Sequence, residues 1–393
     1  MPADDLTAVA KLKKAGFILL ENNDGVVIEC STARDNDSSQ LLPLMVRLPN
    51  LETVTLSGPG IADQGMEALP KLTRLRRLNL AGSAITDETM NAVGQIFGLQ
   101  VLKLQRTSIT DKGMLHVAGL SQLRAIDLRS TNITDAGLEH LAAIPSLVDI
   151  QVERTRVTDA GLAHLKGLPL KSINVNRNFI TNKGLRILGE IQTLESIQMD
   201  SAGISDDGMP ALARLAKLKR LRMRETDITG EGFRHIAELT NLRRLELRQT
   251  SIDDAGLEVL SQLPNVEFLD ISECKLVSSA AIGTHLSQLT ELNNLTLWET
   301  KLDDAGLALL TPLVHLTELN LEATNLSNDA VPTLLKLQNL ERLNIAGTRI
   351  DDEGIRQLTD GLPNLQWINL ANTGASLDLL DELLKKDGLE FVD

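Results

Sequence analysis

Residues 123–146 read LRAIDLRSTNITDAGLEHLAAIPS. The segment opens with apolar residues at alternate positions, Ile126 and Leu128, which is the pattern of a strand with one buried face. It ends with apolar residues three apart, Leu138 and Leu141, which is the pattern of a short helix. Because the two patterns follow each other so closely, the segment predicts a strand, a turn and a helix as one structural unit.

The same unit recurs from residue 51 to the C-terminus, with an apolar residue at the start of each copy. The copies begin at Leu51, Leu75, Leu99, Leu123, Leu147, Leu170, Leu194, Leu218, Leu242, Val266, Leu292, Leu316, Leu340 and Leu365. Nearly all of these starts are 24 residues apart, and a period of this length is typical of a solenoid. A unit so short cannot bury its own apolar residues, so we expect neighbouring units to stack on one another.

The shared pattern is L-x-x-L-x-L-x-x-T-x-I-T-D-x-G-L-x-x-L-x-x-L, and it covers about 340 of the 393 residues. This pattern resembles the leucine-rich repeat family, and it is closest in style to the cysteine-containing subclass and similar bacterial repeat proteins. The resemblance implies an α/β fold, a curved solenoid or horseshoe with a parallel β-sheet on its concave face. Short helices would then lie on the convex face.

Three regions follow from the pattern. Residues 1–50 are predicted to form an N-terminal cap that comprises a helix, a hairpin and a degenerate first repeat. Residues 51–388 are predicted to form about fourteen repeats. Residues 389–393 resemble the strand of an unfinished repeat, which could be a bare edge, the contact surface of a homodimer, or the cut end of a longer chain.

The loop after each strand carries three recurring residue types. At the family's Asn or Cys position this sequence mostly has Thr, with Cys274 once and Asn178 once. We expect the Thr hydroxyl to satisfy backbone groups in this loop. An Asp such as Asp135 stands where most helices start, with Asn182 and Gly230 as exceptions. We expect Thr or Asp at this place to cap the helix and to interact favourably with the helix dipole. A Gly such as Gly137 follows two residues later and is predicted to allow close packing of helix against strand.

Net charge, apolar content and cysteine content limit the classes of partner and of cellular compartment that fit the chain. The net charge of −14 makes a nucleic-acid partner or an anionic membrane surface unlikely on electrostatic grounds. No apolar stretch reaches the length of a membrane span, about 18 residues, and the N-terminus lacks the apolar core of a secretory signal. Cys30 and Cys274 are far apart in the repeat order, which argues against a disulfide framework. These features predict a cytoplasmic location.

Strand residues that point away from the core would line the concave face, and two features distinguish them. Arginines cluster on two adjacent repeats, and both tryptophans fall on the same face in later repeats. The predicted partner-binding residues are Arg220, Arg222, Arg224, Arg244, Arg248, Phe268, Trp298 and Trp367. Arg and Trp are residue types that dominate binding hot spots, so this face is the predicted site of a protein partner.

Two interpretations of this face remain open from the sequence. In the first, a protein partner places acidic groups on the arginines and an apolar element near the aromatic residues. In the second, neighbouring glutamates neutralise the arginines and the aromatic residues are partly covered surface. The glutamates concerned are Glu225, Glu246, Glu273 and Glu299.

The sequence predicts no catalytic residues, no cofactor and no metal site. It contains no Gly-rich phosphate loop and no nucleophile elbow, so we do not expect an enzyme. His116, His140 and His164 recur at one helix position, which His235 shares. Neighbouring helices lie about 8–10 Å apart, whereas zinc binds imidazole at about 2 Å, so these histidines are expected on the outer face without a metal.

The leading functional hypothesis is a non-enzymatic protein–protein interaction scaffold that binds its partner on the concave face. Two alternatives come from family resemblance. One is a substrate-recognition subunit of a larger enzyme complex, similar to ubiquitin-ligase receptors, although residues 1–50 do not resemble an F-box. The other is a protein inhibitor similar to ribonuclease inhibitor, although that family is rich in cysteine and has longer repeats.

Overall fold

The computed structural model describes residues 3–393. The chain divides into two compact units, Met1–Leu194 and Glu195–Asp393. In both units short strands alternate with short helices, as the repeat pattern predicts. The predicted solenoid of stacked strand–helix repeats is therefore confirmed.

The first unit contains the N-terminal elements and the earlier repeats. Its strands are β1 (Ile18–Glu21), β2 (Val27–Ala33), β3 (Thr53–Ser57), β4 (Arg77–Asn79), β5 (Val101–Lys103), β6 (Ala125–Asp127), β7 (Asp149–Gln151) and β8 (Ser172–Asn174). Its α-helices are α1 (Leu6–Lys14), α2 (Asp87–Val93), α3 (Asp111–Val117), α4 (Asp135–Leu141), α5 (Asp159–His164) and α6 (Asn182–Leu188). Its 3-10 helices are Leu42–Arg47, Met66–Lys71 and Leu165–Gly167.

The second unit contains the later repeats. Its strands are β9 (Ser196–Gln198), β10 (Arg220–Arg222), β11 (Arg244–Glu246), β12 (Phe268–Asp270), β13 (Asn294–Thr296), β14 (Glu318–Asn320), β15 (Arg342–Asn344), β16 (Trp367–Asn369) and β17 (Glu390–Val392). Its α-helices are α7 (Gly230–Phe233), α8 (Asp254–Leu260), α9 (Ser279–Leu286), α10 (Asp304–Ala308), α11 (Val331–Leu334), α12 (Asp352–Gly361) and α13 (Leu377–Leu383). Its 3-10 helices are Asp206–Arg214, Arg234–Ile236 and Asn328–Ala330.

Parallel pairing joins consecutive repeats within each unit. Strands β2 to β8 pair in order in the first unit, and β9 to β17 pair in order in the second. The N-terminal strand β1 pairs antiparallel with β2, so the hairpin lies at the start of the first sheet. The last strand, β17, pairs with β16 and leaves its other side without a strand partner among the described residues.

The repeated three-residue strands separate the core from an open surface. The middle residue of each, such as Leu221 or Leu245, is fully buried, while flanking residues such as Arg220 and Arg222 are half-buried. We call the open side the strand face and divide it into three rows. The first row holds the first residue of each such strand, the second row its last residue, and the third row the second residue after the strand.

Apolar residues of the repeat pattern form the core. In the repeat that begins at residue 123 each is at most 1% exposed, and the set is Leu123, Ile126, Leu128, Ile133, Leu138, Leu141 and Ile144. Burying one such side chain contributes about 1.5–3 kcal/mol before the entropy of ordering is subtracted. Stacking of one repeat on the next is therefore what stabilises a repeat.

The Thr that recurs in most of these loops has the role that the sequence predicts. Thr131 is buried and donates its hydroxyl to the carbonyl oxygen of Leu128 at 2.6 Å, and Thr107 does the same with Leu104. Cys274 replaces Thr and instead lies 3.3 Å from the carbonyl oxygen of Leu247 in the preceding repeat. The side chain at this position is a hydroxyl donor in most repeats, a weaker thiol donor in Cys274 and no donor at all in Ala202.

The structure confirms that Thr or Asp caps the helices, and it shows which residue does so. The caps of α8, α10 and α12 are Asp253, Asp303 and Asp351, whereas in repeats with the Thr-Asp sequence the threonine is the cap. The residue that caps α5 is Thr158, whose hydroxyl accepts the amide proton of Ala160 at 3.2 Å. The carboxylate of Asp135 belongs to the preceding repeat and accepts both the N–H and the hydroxyl proton of Thr158, each at 2.7 Å. The aspartate therefore joins two repeats, and the threonine caps the helix.

The same junction recurs along the chain. The aspartate and the Thr or Ser that it binds are Asp63 with Thr86, Asp87 with Thr110, Asp111 with Thr134, Asp135 with Thr158, Asp159 with Thr181, Asp206 with Thr229, Asp254 with Ser278, Asp304 with Ser327 and Asp352 with Ser376. Hydrogen bonds to a charged group contribute about 1.5–3 kcal/mol each, so this junction is a strong contact between neighbours.

The helix glycine is explained by this junction. A Cβ atom on Gly161 would lie 2.4 Å from Oδ1 of Asp135, and one on Gly137 would lie 2.6 Å from Oδ1 of Asp111. The glycine therefore makes room for the carboxylate of the preceding repeat and for the loop isoleucine of its own repeat, since a Cβ on Gly137 would also lie 2.6 Å from Cγ2 of Ile133. Neither neighbour belongs to the strand that the sequence-based prediction named. Where Thr89 takes the place of glycine, its hydroxyl donates to Asp63 at 2.6 Å.

No helix between residues 3 and 393 is both long enough and apolar enough to cross a membrane.

We predict that Gly161→Ala destabilises the protein by about 1–3 kcal/mol, because the new methyl group overlaps the Asp135 carboxylate. The control is Gly167→Ala in the same repeat, where a Cβ meets no atom within 4 Å. That change should alter stability by less than about 1 kcal/mol. Urea denaturation of the whole chain measures both effects. Equal midpoints for the two variants would contradict the junction, and Gly161→Ala combined with Asp135→Ala should cost less than the sum of the single changes.

We also predict that neither cysteine reacts with a thiol reagent in the folded protein. Both are free thiols and fully buried. Burial raises the pKa of Cys30 to about 12, and it raises the pKa of Cys274 as well. Titration with a disulfide reagent at pH 8 should release no chromophore from the native protein and two equivalents in guanidinium. Rapid labelling of the native chain would contradict this placement.

Candidate functional site

The structure places the predicted binding residues on the strand face of the second unit, where they are distributed over the three rows defined above. The first row holds Arg220, Arg244, Phe268 and Trp367, the second row holds Arg222, and the third row holds Arg224, Arg248 and Trp298. All of these side chains are half-buried. The two tryptophans lie in different rows and three strands apart, about 14 Å, so they do not form one contact.

A buried carboxylate pairs with Arg222, the last residue of β10, and with Arg224 just after it. The carboxylate of Asp200 is 3% exposed and accepts from two arginines. Nη2 of Arg222 lies 2.5 Å from Oδ2 of Asp200, and Nη2 of Arg224 lies 2.8 Å from the same atom. The backbone N–H of Arg224 donates to Oδ1 at 3.1 Å. One carboxylate therefore holds two guanidinium groups.

A second carboxylate, Glu246 in the second row of β11, is also almost fully buried. Arg220 and Arg244 each donate to its Oε1 atom at 2.7 Å. In the third row, Nη2 of Arg248 lies 2.5 Å from Oε1 of Glu273. The five predicted arginines therefore share three carboxylates, and they form an ion-pair network rather than a free cationic patch.

Two of the four glutamates that the sequence suggested as neutralising groups take part in this network, and two do not. Glu225 accepts from the hydroxyl of Ser201 at 2.6 Å, and Glu299 lies 3.3 Å from Nζ of Lys275. Sequence analysis did not identify Asp200 as a partner. Its position in the third row, one strand before Arg224, is the signal that could have revealed it.

Arginines also cover the aromatic rings. The guanidinium carbon of Arg244 lies 3.5 Å from the ring centre of Phe268, and that of Arg248 lies 4.6 Å from the ring centre of Trp298. Arg342, which sequence analysis did not include in the site, lies 4.4 Å from the ring centre of Trp367. Such contacts contribute about 0.5–2 kcal/mol each and fix the orientation of the rings.

A shallow depression of about 280 Å³ lies between Phe268 and Trp367. Amide, hydroxyl and charged side chains line it, and these are Asn294, Thr296, Glu318, Asn320, Arg342 and Asn344. Arg342 and Trp367 both line it and lie side by side, because β15 pairs with β16 in this register. The surface thus has an aromatic ring at each end, a guanidinium beside Trp367, and a lining between them that is polar except for Leu319.

The second row also supports the backbone. Asn344 accepts the N–H of Ala346 at 3.1 Å, and Asn320 accepts the N–H of Glu322 at 3.0 Å. Asp270 holds the same position and accepts the N–H of Ser272 at 3.0 Å and its hydroxyl proton at 2.6 Å. Asn and Asp in this row therefore fix the turn that leaves the strand.

Burial raises the pKa of two carboxyl groups beneath the arginines, Asp200 and Asp270. The negative charge of Glu246 raises both pKa values further, and the positive charge of Arg224 opposes the increase. Carboxylates in this part of the face are therefore costly to ionise, and at Asp200 the neighbouring guanidinium groups offset only part of that cost.

Within the described part of the chain, no group of three His, Cys, Asp or Glu side chains could hold a metal ion. The histidines that recur at one helix position, represented by His116 and His140, lie on the helices and away from the strand face.

The geometry defines a repeat protein whose strand face presents ordered aromatic and polar side chains. A family model described as a leucine-rich repeat region matches residues 31–285, and another described as a leucine-rich repeat matches residues 336–358. The first match alone covers well over half of the chain. The protein belongs to the leucine-rich repeat family.

Solved structures share the fold at low sequence identity. An internalin of Listeria monocytogenes is 21% identical, with a TM-score of 0.55, over 100% of this chain and 98% of its own. A leucine-rich repeat protein of Leptospira interrogans is 18% identical, with a TM-score of 0.56, over 89% and 92%. The yeast Rad7–Elc1 complex contains a chain that is 18% identical, with a TM-score of 0.58, over 85% and 84%. No match was found among curated proteins.

We predict that Asp270→Asn leaves the protein at least as stable as the wild type at pH 7. The folded-state pKa of Asp270 is raised above the ordinary value of 3.8, so the folded state binds the proton more tightly than the unfolded state does. Stability from this group is therefore lost as pH rises through the folded pKa. The asparagine keeps the acceptor for Ser272 and removes the buried charge.

The stability difference between Asp270→Asn and wild type should shrink as pH falls below about 4. Urea denaturation at pH 4 and pH 7 measures it. The control is Asp127→Asn, because Asp127 binds Arg129 through both oxygens at 3.0 and 2.7 Å and should lose stability on substitution. A marked loss of stability in Asp270→Asn at pH 7 would show that the charge is needed.

Proposed function

We propose that the protein is a non-enzymatic interaction scaffold that binds a protein partner through the strand face of its second unit. The observation that carries the proposal is the pairing of each aromatic ring on this face with an arginine, as in Arg248 over Trp298 and Arg342 over Trp367. Aromatic and arginine side chains contribute most of the binding energy in protein interfaces. Here they are already ordered in the free protein.

Side chains that are already ordered in the free protein favour affinity, because less conformational entropy is lost when the partner binds. Immobilising a flexible side chain at an interface costs about 0.5–1.5 kcal/mol. Arg248 is held from two sides, by Glu273 at 2.5 Å and by the indole of Trp298, so little of its freedom remains to be lost. The same holds for Arg244, which contacts both Glu246 and Phe268. A partner would meet a surface whose shape is already set.

The ion-pair network changes the chemistry expected of the partner. Because Asp200, Glu246 and Glu273 already neutralise most of the arginine charge, an acidic partner is not required. Apolar and hydrogen-bonding groups fit better, against the aromatic rings and the polar depression between Phe268 and Trp367. Binding through these groups should depend only weakly on salt.

The proposed compartment is the cytoplasm, supported by two free buried thiols that need no oxidising environment.

A second candidate function is a recognition subunit of a larger enzyme complex. The likeness to the chain crystallised in the yeast Rad7–Elc1 complex supports it, since that fold there occurs in a complex with another protein. In that case the strand face would hold the substrate, and a different surface would hold the enzyme.

The test is affinity capture with the whole chain as bait and quantitative mass spectrometry of the bound proteins. Trp298→Ala together with Trp367→Ala should reduce capture of the partner at least tenfold, because truncating a hot-spot residue costs about 2 kcal/mol or more. The matched control is Leu276→Ala with Val314→Ala, which removes two exposed apolar side chains from connections outside the three rows.

Capture that survives the tryptophan changes but fails with Leu276→Ala and Val314→Ala would overturn the assignment of the face. Thermal denaturation of both double variants shows whether either has lost its fold. Capture should also change less than threefold between low and moderate salt if aromatic contacts dominate.

A further inference from the structure

The strand face of the first unit has a depression of its own, about 360 Å³ in volume, at the ends of β4 to β7. It lies along the third row and the residues that follow that row. Its charged and hydroxyl lining consists of Arg106, Arg129, Ser130, Glu153 and Arg154. Two small residues also line it, Ala81 and Gly82, at places where neighbouring repeats have Gln105 and Arg106 or Arg129 and Ser130.

Backbone geometry directs the lining residues to one place. Arg106, Ser130 and Arg154 all have positive φ angles, between 54° and 57°, and occupy the same position in three consecutive repeats. Parallel strands are about 4.8 Å apart, so the two arginines stand about 10 Å apart with Ser130 between them. This spacing lets two guanidinium groups approach one small ligand placed over the serine.

The three arginines differ in what already satisfies them. Arg129 donates to both oxygens of Asp127, at 3.0 and 2.7 Å. By contrast, the guanidinium groups of Arg106 and Arg154 form no ion pair with any residue from 3 to 393, and both side chains are exposed. Glu153 lies in the lining and accepts the side-chain amide of Asn174 at 3.2 Å.

The charge balance identifies the class of ligand. With Arg129 neutralised by Asp127, the remaining charges are those of Arg106, Arg154 and Glu153, which sum to one positive charge. A single carboxylate neutralises this charge, whereas a phosphate dianion would leave an excess negative charge beside Glu153. Planar guanidinium groups match a carboxylate in geometry as well.

We propose that this depression binds the carboxylate of a glutamate or aspartate side chain in a partner peptide, between Arg106 and Arg154. The site lies in the first unit and uses none of the residues assigned to the strand face of the second. The proposed carboxylate site can therefore be confirmed or refuted independently of the proposed function. It also places unpaired positive charge in a protein whose net charge is −14.

The first measurement needs no ligand. Ser130→Cys puts a thiol between the two arginines in a protein whose own cysteines are buried. Positive charge stabilises a thiolate, so the pKa of the introduced thiol should lie roughly one unit below the ordinary value of about 8.5. The matched control is Ala323→Cys, which has the same positive φ and is flanked in sequence by Glu322. The pH dependence of alkylation gives both values.

Arg106→Gln and Arg154→Gln, each combined with Ser130→Cys, should raise that thiol pKa towards the control. Arg124→Gln, which removes an arginine outside the depression, should leave it unchanged. Equal thiol pKa values in Ser130→Cys and Ala323→Cys, or no response to either glutamine change, would overturn the electrostatic basis of the site.

The second measurement identifies the ligand. The probes are a capped Gly-Gly-Glu-Gly-Gly peptide, the same peptide with Gln in place of Glu, and inorganic phosphate. The glutamate peptide should slow alkylation of Ser130→Cys and should bind roughly tenfold more weakly to Arg106→Gln, because a charge-assisted hydrogen bond is lost. Equal protection by the two peptides, or stronger protection by phosphate, would refute a carboxylate site.

Discussion

The carboxylate that crosses from one repeat to the next constrains the sequence of most repeats. Asp135 binds the N–H and hydroxyl of Thr158, and it can do so only because Gly161 leaves room for its oxygen atom. Three motif positions, Thr, Asp and Gly, are thus one contact made by two repeats. A repeat that lost any one of them would contact its neighbour less strongly. Because a single repeat cannot bury its own apolar residues, contact with neighbours is what stabilises it.

The residues that stabilise the stack are mostly different from those on the strand face, which explains why the strand face varies so widely between repeats. The junction, the loop threonine and the apolar core lie behind or beside the sheet. The first and third rows therefore carry no part of the repeat pattern, although Asn or Asp often recurs in the second row. Arg220 and Arg244 can therefore occupy first-row positions that hold Ser196 and Asn294 in other repeats. Function in such a fold resides in rows of side chains, and neighbours in a row are 24 residues or so apart in sequence.

The period of the sequence was enough to predict the strands, the short helices and the residues of the strand face. It was also enough to place Arg222 and Trp298 on that face, because alternation along a strand assigns each side chain to one side. It could not give the role of Asp135, since a carboxylate at a helix start is usually read as a cap. The partner of that carboxylate lies in the next repeat, and its identification requires the helix positions in three dimensions.

Pairing within the candidate site was predictable in part. Register places Phe268 beside Arg244 and Trp367 beside Arg342, so these two contacts follow from the repeat length alone. The contact of Arg248 with Trp298 spans two strands, and it exists because Ser272, between them in the third row, is small. The direction of a long side chain depends on what its neighbours leave open, which the period does not specify.

The charges of the two strand faces show how an acidic protein can carry arginines for different purposes. In the second unit, buried carboxylates such as Asp200 and Glu246 hold the guanidinium groups, which then order aromatic rings. In the first unit, Arg106 and Arg154 have no such carboxylate, and the strand-face rows there contain no aromatic residue. An arginine bound by its own chain shapes a surface, whereas an arginine without a partner is available to a ligand. The positions of the acidic residues, rather than the number of arginines, therefore decide which chemistry each face offers.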